Sequence, residues 1–339
     1  MSDVEVLDPR YDNEPGYWRA LRERAGLRAD WSWEVLRAQA WCARTAQPVA
    51  VMLDGGEPRG VVTAAWVTGR TRRNRFARPD GRGLLGGLDV RSPGTGSVPG
   101  WWFDGPGPGV RELIDVYAPA MRRSLGLGFR GMLVRQVPEE GLDDVRGRFR
   151  LVRKTEDIAV MRVEGLATRE EWMATLARKR RQNLGKIFRT VEADPSIEVT
   201  FLPGERADPA RIAALLRHNE RKHHDVPIVP LPQFIGYLSA LLAQPDVLVI
   251  EYSDPASGAL LAVATILDDP VRPIARHWSA LPPEEGGRRN LYFHFYGEAV
   301  RWAITQGRPE VVFGKKMAEL KQTLGAHLIP QYAAAVPLW

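Results

Sequence analysis

The feature that most constrains the fold is a series of three apolar segments followed by one amphipathic helix in the second half of the chain. Residues 246–252, 260–267 and 274–280 are either continuously apolar or alternate apolar with polar residues, a pattern typical of strands. A helical pattern follows over residues 291–305 and stops near Gly307. These patterns predict a mixed, mostly antiparallel sheet flanked by helices.

The first half of the chain begins with a comparable mixture of elements. Residues 14–46 carry helical signals, and two strands at 48–53 and 60–67 flank a hairpin turn at 54–57. A helix at 110–125 and a strand at 131–137 follow. The expected inward anchors of the first helices are Trp18, Leu21, Leu36 and Trp41.

The length of 339 residues suits two domains rather than one core. A strand at 158–163 is expected to open the second domain, so we predict an α/β chain of two lobes, 1–155 and 156–339. The Gly-, Pro- and Arg-rich segment 69–108 is the expected flexible or functional loop of the first lobe.

Several bulk properties bear on location and partners. The single cysteine, Cys42, excludes an intramolecular disulfide, the acidic first residues do not resemble a signal peptide, and no apolar run approaches the roughly 20 residues of a membrane helix. We therefore expect a cytoplasmic protein without a membrane span. The net charge of +6 favours a polyanionic partner, although a GC-rich genome would also enrich arginine.

The most informative loop links the third apolar segment to the amphipathic helix. It reads Gly286-Gly287-Arg288-Arg289-Asn290 and leads directly into the helix start. Unpaired amides and the dipole at a helix start favour an anion, glycines permit close approach, and arginines add charge-assisted hydrogen bonds. The loop predicts a phosphate site; the alternative is a solvated turn.

A second basic region lies on a predicted helix that begins at the capping box Thr168–Glu171 and runs to about residue 191. Its apolar stripe consists of Trp172, Met173, Leu176, Leu184, Ile187 and Val191. Arg180 falls within this stripe, so a carboxylate or phosphate partner is expected for it. The candidate RNA-binding residues are Arg178, Lys179, Arg180, Arg181 and Lys186. The alternative is an ordinary solvated helix face.

Two further residues are candidates for chemistry. His277 lies in the predicted strand 274–280 before the loop and has the residue type of a general base, or of a hydrogen-bonded core histidine. Lys321, with Lys315 and Lys316 upstream, is a candidate for phosphate binding or for oxyanion stabilisation, or is a surface lysine. His218, His223, His224 and Asp225 match no common metal-site spacing, so no metal is predicted.

These motifs carry a resemblance to a known family. The segments Leu291-Tyr-Phe, Ala299-Val-Arg-Trp-Ala303, Phe313-Gly314-Lys315, Glu319-Leu-Lys321 and Leu324-Gly325-Ala326 resemble the C-terminal signature of the Fem-like, peptidoglycan-bridge-type tandem GNAT acyltransferases. Residues 176–184 resemble that family's Arg-Asn-Leu helix. The resemblance covers residues 170–330 and is faint before 150. The loop Glu285–Asn290 departs from the usual GNAT pyrophosphate motif, Arg/Gln-x-x-Gly-x-Gly/Ala, which disfavours acyl-CoA.

The resemblance implies an N-acyltransferase that forms an amide bond. We predict His277, Lys321 and Glu319 as catalytic residues, and the 286–290 loop with Lys315 and Lys316 as the donor site. The expected donor is aminoacyl-tRNA, the acceptor an amine of a cell-wall precursor or natural product, and no cofactor is required. The alternatives are an acyl-CoA-dependent N-acetyltransferase and a non-catalytic RNA-binding module.

Overall fold

The computed structural model describes residues 3–43, 45–68, 86–94, 96–222 and 231–338. It divides into two compact units, one formed by Met1–Asp157 with Pro330–Trp339 and the other by Ile158–Ile329. Each unit contains a mixed sheet flanked by helices, so the predicted fold class is confirmed. The segment 69–85 of the predicted functional loop lies outside the described residues.

The elements are numbered in chain order. The strands are β1 (Asp3–Leu7), β2 (Val49–Asp54), β3 (Glu57–Thr68), β4 (Gly86–Val90), β5 (Trp101–Phe103), β6 (Phe129–Pro138), β7 (Leu151–Lys154), β8 (Ile158–Arg162), β9 (Glu198–Pro203), β10 (Val247–Ser253), β11 (Leu260–Leu267), β12 (Ile274–Ala280), β13 (Glu310–Val312), β14 (His327–Ile329) and β15 (Gln331–Pro337). The α-helices are α1 (Trp18–Ala25), α2 (Trp33–Cys42), α3 (Val110–Glu112), α4 (Ala118–Leu125), α5 (Leu142–Val145), α6 (Arg169–Ala174), α7 (Arg178–Glu192), α8 (Pro209–Lys222), α9 (Leu231–Leu242), α10 (Leu291–Thr305) and α11 (Ala318–Thr323). None of these helices is long and apolar enough to cross a membrane.

The sheet of the first unit has the order β1-β2-β3-β4-β6-β15-β7, with β5 paired to β3. Among the strand pairs described in this sheet, β4/β6 alone is parallel. The last strand, β15, was expected in the second lobe and lies instead between β6 and β7. The reason is pairing: Val336 faces Met132 of β6, and Ala334 faces Val152 of β7.

The core of the first unit is rich in tryptophan. Trp18, Trp31 and Trp33 are buried against β2 and β3. Trp41, an expected core residue, is instead 45 % exposed, and its ring meets Tyr11 edge-on at 5.7 Å between centroids. The predicted helix 110–125 is also less regular than expected, because a π-helical segment, Leu113–Tyr117, separates α3 from α4.

In the second unit the predicted N-cap at Thr168 forms, while Glu171 reaches back to the residue before Thr168. Thr168 Oγ1 accepts a hydrogen bond from the Glu171 amide, and Glu171 Oε2 accepts one from the Ala167 amide. The single helix expected from this box is two helices, α6 and α7. Ala177 adopts extended backbone between them, so the apolar stripe continues on a new helix.

The sheet of the second unit has the order β14-β8-β13-β12-β11-β10-β9. The neighbours β12 and β13 are parallel and share a single register pair, Ile274 with Val312. Beyond Ile274 this edge of β12 has no ladder partner within the described chain. The parallel pair of the first unit, β4 and β6, keeps four register pairs. A cleft therefore opens between β12 and β13, whereas β4 and β6 stay joined.

Candidate functional site

The β12–β13 cleft has a volume of about 1140 Å³. It is lined by the end of β12, the loop to α10, the first turn of α10 and the segment after β13. The predicted site residues that the structure brings together on its walls are His277, Arg288, Arg289, Asn290, Lys315, Lys316 and Lys321. Residues from three distant parts of the second unit thus meet in one place.

The two loop glycines are required by the turn itself. Gly286 has φ +88°, in the left-handed region that glycine tolerates best. A Cβ on Gly287 would lie 1.9 Å from the carbonyl oxygen of Leu281, so no side chain fits there. The glycines shape the loop, and the arginines and helix amides remain as the groups that can meet a ligand.

The start of α10 is open toward an anion. Asn290 occupies the N-cap position with φ +66° and makes no side-chain capping hydrogen bond. The first amides with a backbone acceptor are those of Phe293 and His294, which both donate to the Asn290 carbonyl. Within the described chain, the amides of Leu291 and Tyr292 have no acceptor. This 15-residue helix therefore presents unpaired donors and the positive end of its dipole at the cleft wall.

The two loop arginines differ in what they contact. Arg288 Nε donates to Ser196 Oγ at 3.0 Å, its Nη1 donates to the Gly286 carbonyl, and Nη2 lies 3.9 Å from Asp254 Oδ2. Arg289 is exposed and has no hydrogen-bond or ion-pair partner among the residues that the structure describes. Arg288 therefore braces the loop, and Arg289 is the arginine available to a ligand.

His277 lies on the cleft wall as a neutral imidazole. Burial, and after it the positive charge of Arg276, hold the pKa of His277 well below its usual value. Its Nδ1 is 2.8 Å from Thr265 Oγ1 on the neighbouring strand β11. With Nδ1–H donating to Thr265, Nε2 carries the lone pair, which is the tautomer that a general base needs.

Lys321 is buried, and its ammonium group is engaged by protein. Its Nζ donates to the carbonyls of Phe313 at 2.7 Å, Gly314 at 3.3 Å and Lys315 at 2.6 Å. A lysine has three N–H donors, so these contacts leave none for an oxyanion. Glu319, also predicted to be catalytic, is exposed on α11 and does not line the cleft.

The predictions missed an aromatic wall and one arginine. Trp278 and Tyr292 are half-buried with ring centroids 5.5 Å apart, and Tyr296 stacks on Phe313 at 4.2 Å. Arg276 lines the cleft, and its buried Nε has no acceptor in the described part of the chain. Arg276 and Trp278 flank His277 in sequence. The strand position that made His277 a candidate could therefore have made both neighbours candidates as well.

The predicted RNA-binding residues lie on α7. Lys179, Arg180 and Asn183 line a groove of about 720 Å³ that also includes Gln322 and Thr323. Arg178, Arg181 and Lys186 are exposed on the same helix and do not line the groove.

Arg180 contacts an aromatic ring. Its guanidinium lies 6.0 Å from the ring centroid of Phe293, and the side chain also lines the groove, so a phosphate partner stays a prediction. Phe293 belongs to the first turn of α10, whose start forms part of the β12–β13 cleft.

One cluster of metal-ligating groups occurs among the described residues. Glu192, His294 and Glu298 place a ligand atom each within 4.8 Å of one another. Arg169 Nη1 lies 2.7 Å from Glu192 Oε1 and 3.2 Å from Glu298 Oε1, so a guanidinium already supplies the opposite charge there. His223, His224 and Asp225 lie outside the described residues, and His218 Nδ1 is 3.5 Å from Glu285 Oε2.

A separate groove of about 620 Å³ lies on the sheet of the first unit, along β4, β6 and β15. None of the predicted site residues lines it.

No protein-family model matches the chain, and no curated protein sequence does. Solved structures do match. FemX aligns with a TM-score of 0.63 at 9 % identity, over 97 % of this chain and 96 % of FemX. L-PGS from Bacillus licheniformis aligns with a TM-score of 0.60 at 11 % identity, over 96 % and 92 % of the two chains. A tandem GNAT protein from the clavulanic acid biosynthesis pathway aligns with a TM-score of 0.50 at 10 % identity, over 99 % and 98 %.

These similarities, at such low identity, concern the fold. The chain has a tandem GNAT fold, with one mixed sheet in each unit. Within that class it has the Fem-like arrangement, and the resemblance seen in the sequence is confirmed at the level of the fold.

Proposed function

We propose that this chain is an N-acyltransferase whose β12–β13 cleft binds an acyl donor attached to an anionic carrier, with aminoacyl-tRNA as the donor. The observation that carries the proposal is the set of unpartnered donors on one wall of the cleft: Arg276 Nε, the Arg289 side chain, and the amides of Leu291 and Tyr292. A buried donor such as Arg276 Nε is rarely left without an acceptor, and a phosphate or oxyanion would satisfy it together with exposed Arg289 and the two helix amides.

The chemistry needs only groups that the cleft contains. An acyl ester is already activated, so the acceptor amine attacks its carbonyl carbon, a C–N bond forms, and the C–O bond to the carrier breaks. The amine loses a proton to neutral His277, which returns one to the departing ribose oxygen. The positive wall stabilises the negative charge that develops on the carbonyl oxygen.

Aminoacyl-tRNA is favoured over acyl-CoA by the surroundings of the cleft. The basic helix α7 contacts the first turn of α10 through Arg180 and Phe293, so a cationic surface continues outward from the site. A long polyanion uses such a surface, and a small carrier does not. One similar structure is the C-terminal domain of a putative lysylphosphatidylglycerol synthetase from Agrobacterium fabrum, with a TM-score of 0.58, 11 % identity, and 94 % and 90 % coverage. Its name describes an aminoacylated product.

Acyl-CoA is the second candidate donor. The tandem GNAT protein of clavulanic acid biosynthesis is named in relation to AcCoA, and its fold aligns with this chain. The pyrophosphate of CoA would suit Arg289 and the start of α10 as well as a tRNA phosphate does. A donor screen separates the two: purified protein receives a mixed pool of labelled aminoacyl-tRNA or acetyl-CoA with an amine library, and products are identified by mass spectrometry.

Aminoacylated products made only with charged tRNA support the proposal, and acetylated products made only with acetyl-CoA contradict its donor. A third possibility, an RNA-binding module without chemistry, predicts tRNA binding and no product from either donor. The substitution His277→Gln distinguishes an enzyme from a module that only binds RNA. It abolishes turnover with little change in tRNA affinity if the chain is an enzyme, and changes neither property if the chain only binds.

A further inference from the structure

The segment that follows β13 has an unusual backbone. Gly314, Lys316 and Met317 have φ values of +72°, +62° and +51°. Glycine adopts this region easily, whereas Lys316 and Met317 are two successive side-chain-bearing residues in it. Met317 is 55 % exposed, so packing of its side chain does not account for its conformation. Contacts from elsewhere must hold this loop, residues 314–317.

Lys321 makes those contacts. Only 3 % of Lys321 is exposed, and its Nζ donates to three successive carbonyls, those of Phe313, Gly314 and Lys315. Its own amide donates to the carbonyl of Met317 at 3.1 Å. One residue therefore contacts both ends of the left-handed loop.

The same contacts orient the groups that reach the cleft. In a trans peptide the N–H of one residue points opposite to the carbonyl of the residue before it. Since the carbonyls of residues 313–315 turn toward Lys321, the amides of residues 314–316 point away from its ammonium. Lys315 and Lys316 both line the cleft from this loop. A change in the loop therefore moves two cations of the site.

We propose that Lys321 is a positioning residue: its buried ammonium holds loop 314–317 in the left-handed conformation that places Lys315 and Lys316 in the cleft, and it does not itself touch the substrate. The claim that Lys321 holds the conformation of loop 314–317 is independent of the proposed function. The consequence for turnover rests on the proposed acyl transfer.

Trypsin tests the loop directly, because it cleaves after Lys315 and Lys316 only when the segment leaves its folded conformation. Lys321→Met keeps most of the side-chain volume and removes the ammonium. We expect it to raise the rate of cleavage at these two bonds at least tenfold, with the far-ultraviolet circular dichroism unchanged. An unchanged cleavage rate in the folded variant would overturn the proposal.

A second substitution separates backbone strain from loss of a side chain. Met317→Gly removes the cost of the left-handed conformation, whereas Met317→Ala removes the same side chain and keeps that cost. In the Lys321→Met background, we expect Met317→Gly to lower the cleavage rate several-fold and Met317→Ala to leave it unchanged. If Lys321→Met fails to fold, the two Met317 variants of the otherwise native chain decide: slower cleavage only with glycine supports the strained loop, and equal rates contradict it.

Turnover distinguishes positioning from direct catalysis. If Lys321 acts through the loop, adding Met317→Gly to the Lys321→Met variant restores its activity. The recovered activity is then proportional to the recovered protection from trypsin. Protection without any recovery of activity would instead place the ammonium on the reaction path and overturn the positioning role. If the native chain turns over no donor, the proposed function fails, and the trypsin comparison still decides the role of Lys321.

Discussion

At the scale of single residues, Arg288 and Arg289 are neighbours with opposite tasks. Arg288 is bonded to Ser196 and the Gly286 carbonyl, whereas Arg289 extends into the cleft without a described partner. We expect Arg289→Ala to weaken donor binding about tenfold, or ~1.4 kcal/mol, at an unchanged melting temperature. Arg288→Ala is the matched control: it lowers the melting temperature of the protein because the loop loses its brace. Equal effects of the two substitutions on both measurements would contradict this assignment.

His277 gives a prediction about pH. Since its pKa lies below the usual value near 6.5, the neutral base is present throughout the neutral range, and kcat at saturating donor should fall only at distinctly acidic pH. Arg276→Gln removes the smaller cause of the shift, so the acidic limb of the kcat profile should move to higher pH. An acidic limb that stays in place in this variant would show that another group titrates.

The same shift has a sign for stability. Between the folded pKa and 6.5 the unfolded chain binds more protons at this histidine than the folded chain does. The contribution of His277 to the free energy of unfolding is therefore greatest above pH 6.5. It declines as the pH falls toward the pKa of the folded state. His277→Gln should flatten the dependence of the unfolding free energy on pH in that window, as measured by urea titration.

At the scale of elements, α7 is the clearest case of a helix whose two faces have separate roles. Leu184, Ile187, Phe188 and Val191 are buried, and the exposed cations face solvent or the 720 Å³ groove. We expect the triple substitution of Lys179, Arg181 and Lys186 by alanine to reduce the slope of log affinity for tRNA against log salt by ~2–3 between about 50 and 200 mM. The melting temperature is the control and should not change, since all three side chains are exposed. An unaltered tRNA slope would remove α7 from the RNA-binding surface.

The elements also show what can be predicted from the sequence. The bounds 291–305 of α10 agree with the prediction because a strong apolar stripe and a glycine stop are both local signals. The break at Ala177 and the partners of β15 were missed, because each depends on packing or pairing with distant residues. For the site, residue type and position in the sequence were enough to select His277, Arg289 and Lys315, which line the cleft. The contacts of Lys321 could not be predicted, since they depend on left-handed backbone at residues 316 and 317 that is unusual for lysine and methionine.

At the scale of the whole molecule, the two units share a mixed sheet but differ in how far their parallel strands are paired. Both contain a parallel strand pair within an otherwise antiparallel sheet. Four register pairs join β4 to β6 in the first unit, and one described register pair, Ile274 with Val312, joins β12 to β13 in the second. One missing stretch of ladder exposes a strand edge, and the groups for binding an anion gather around it. The difference in pairing supports the proposal that the donor binds in the second unit.

The return of the chain to the first unit through β15 leads to the final prediction. Ala334 is completely buried between β6 and β7, whereas its neighbour Ala335 is half-buried on the other face of the strand. An unpaired buried carboxylate is costly, so Ala334→Asp should lower the unfolding free energy of the first unit by ~3 kcal/mol. Ala335→Asp should lower it much less. Native-state hydrogen exchange measures where the loss falls. We expect faster exchange in β6 and β7 of the Ala334→Asp protein and little change in β8 and β13, whereas a terminal strand that belonged to the second unit would produce the reverse.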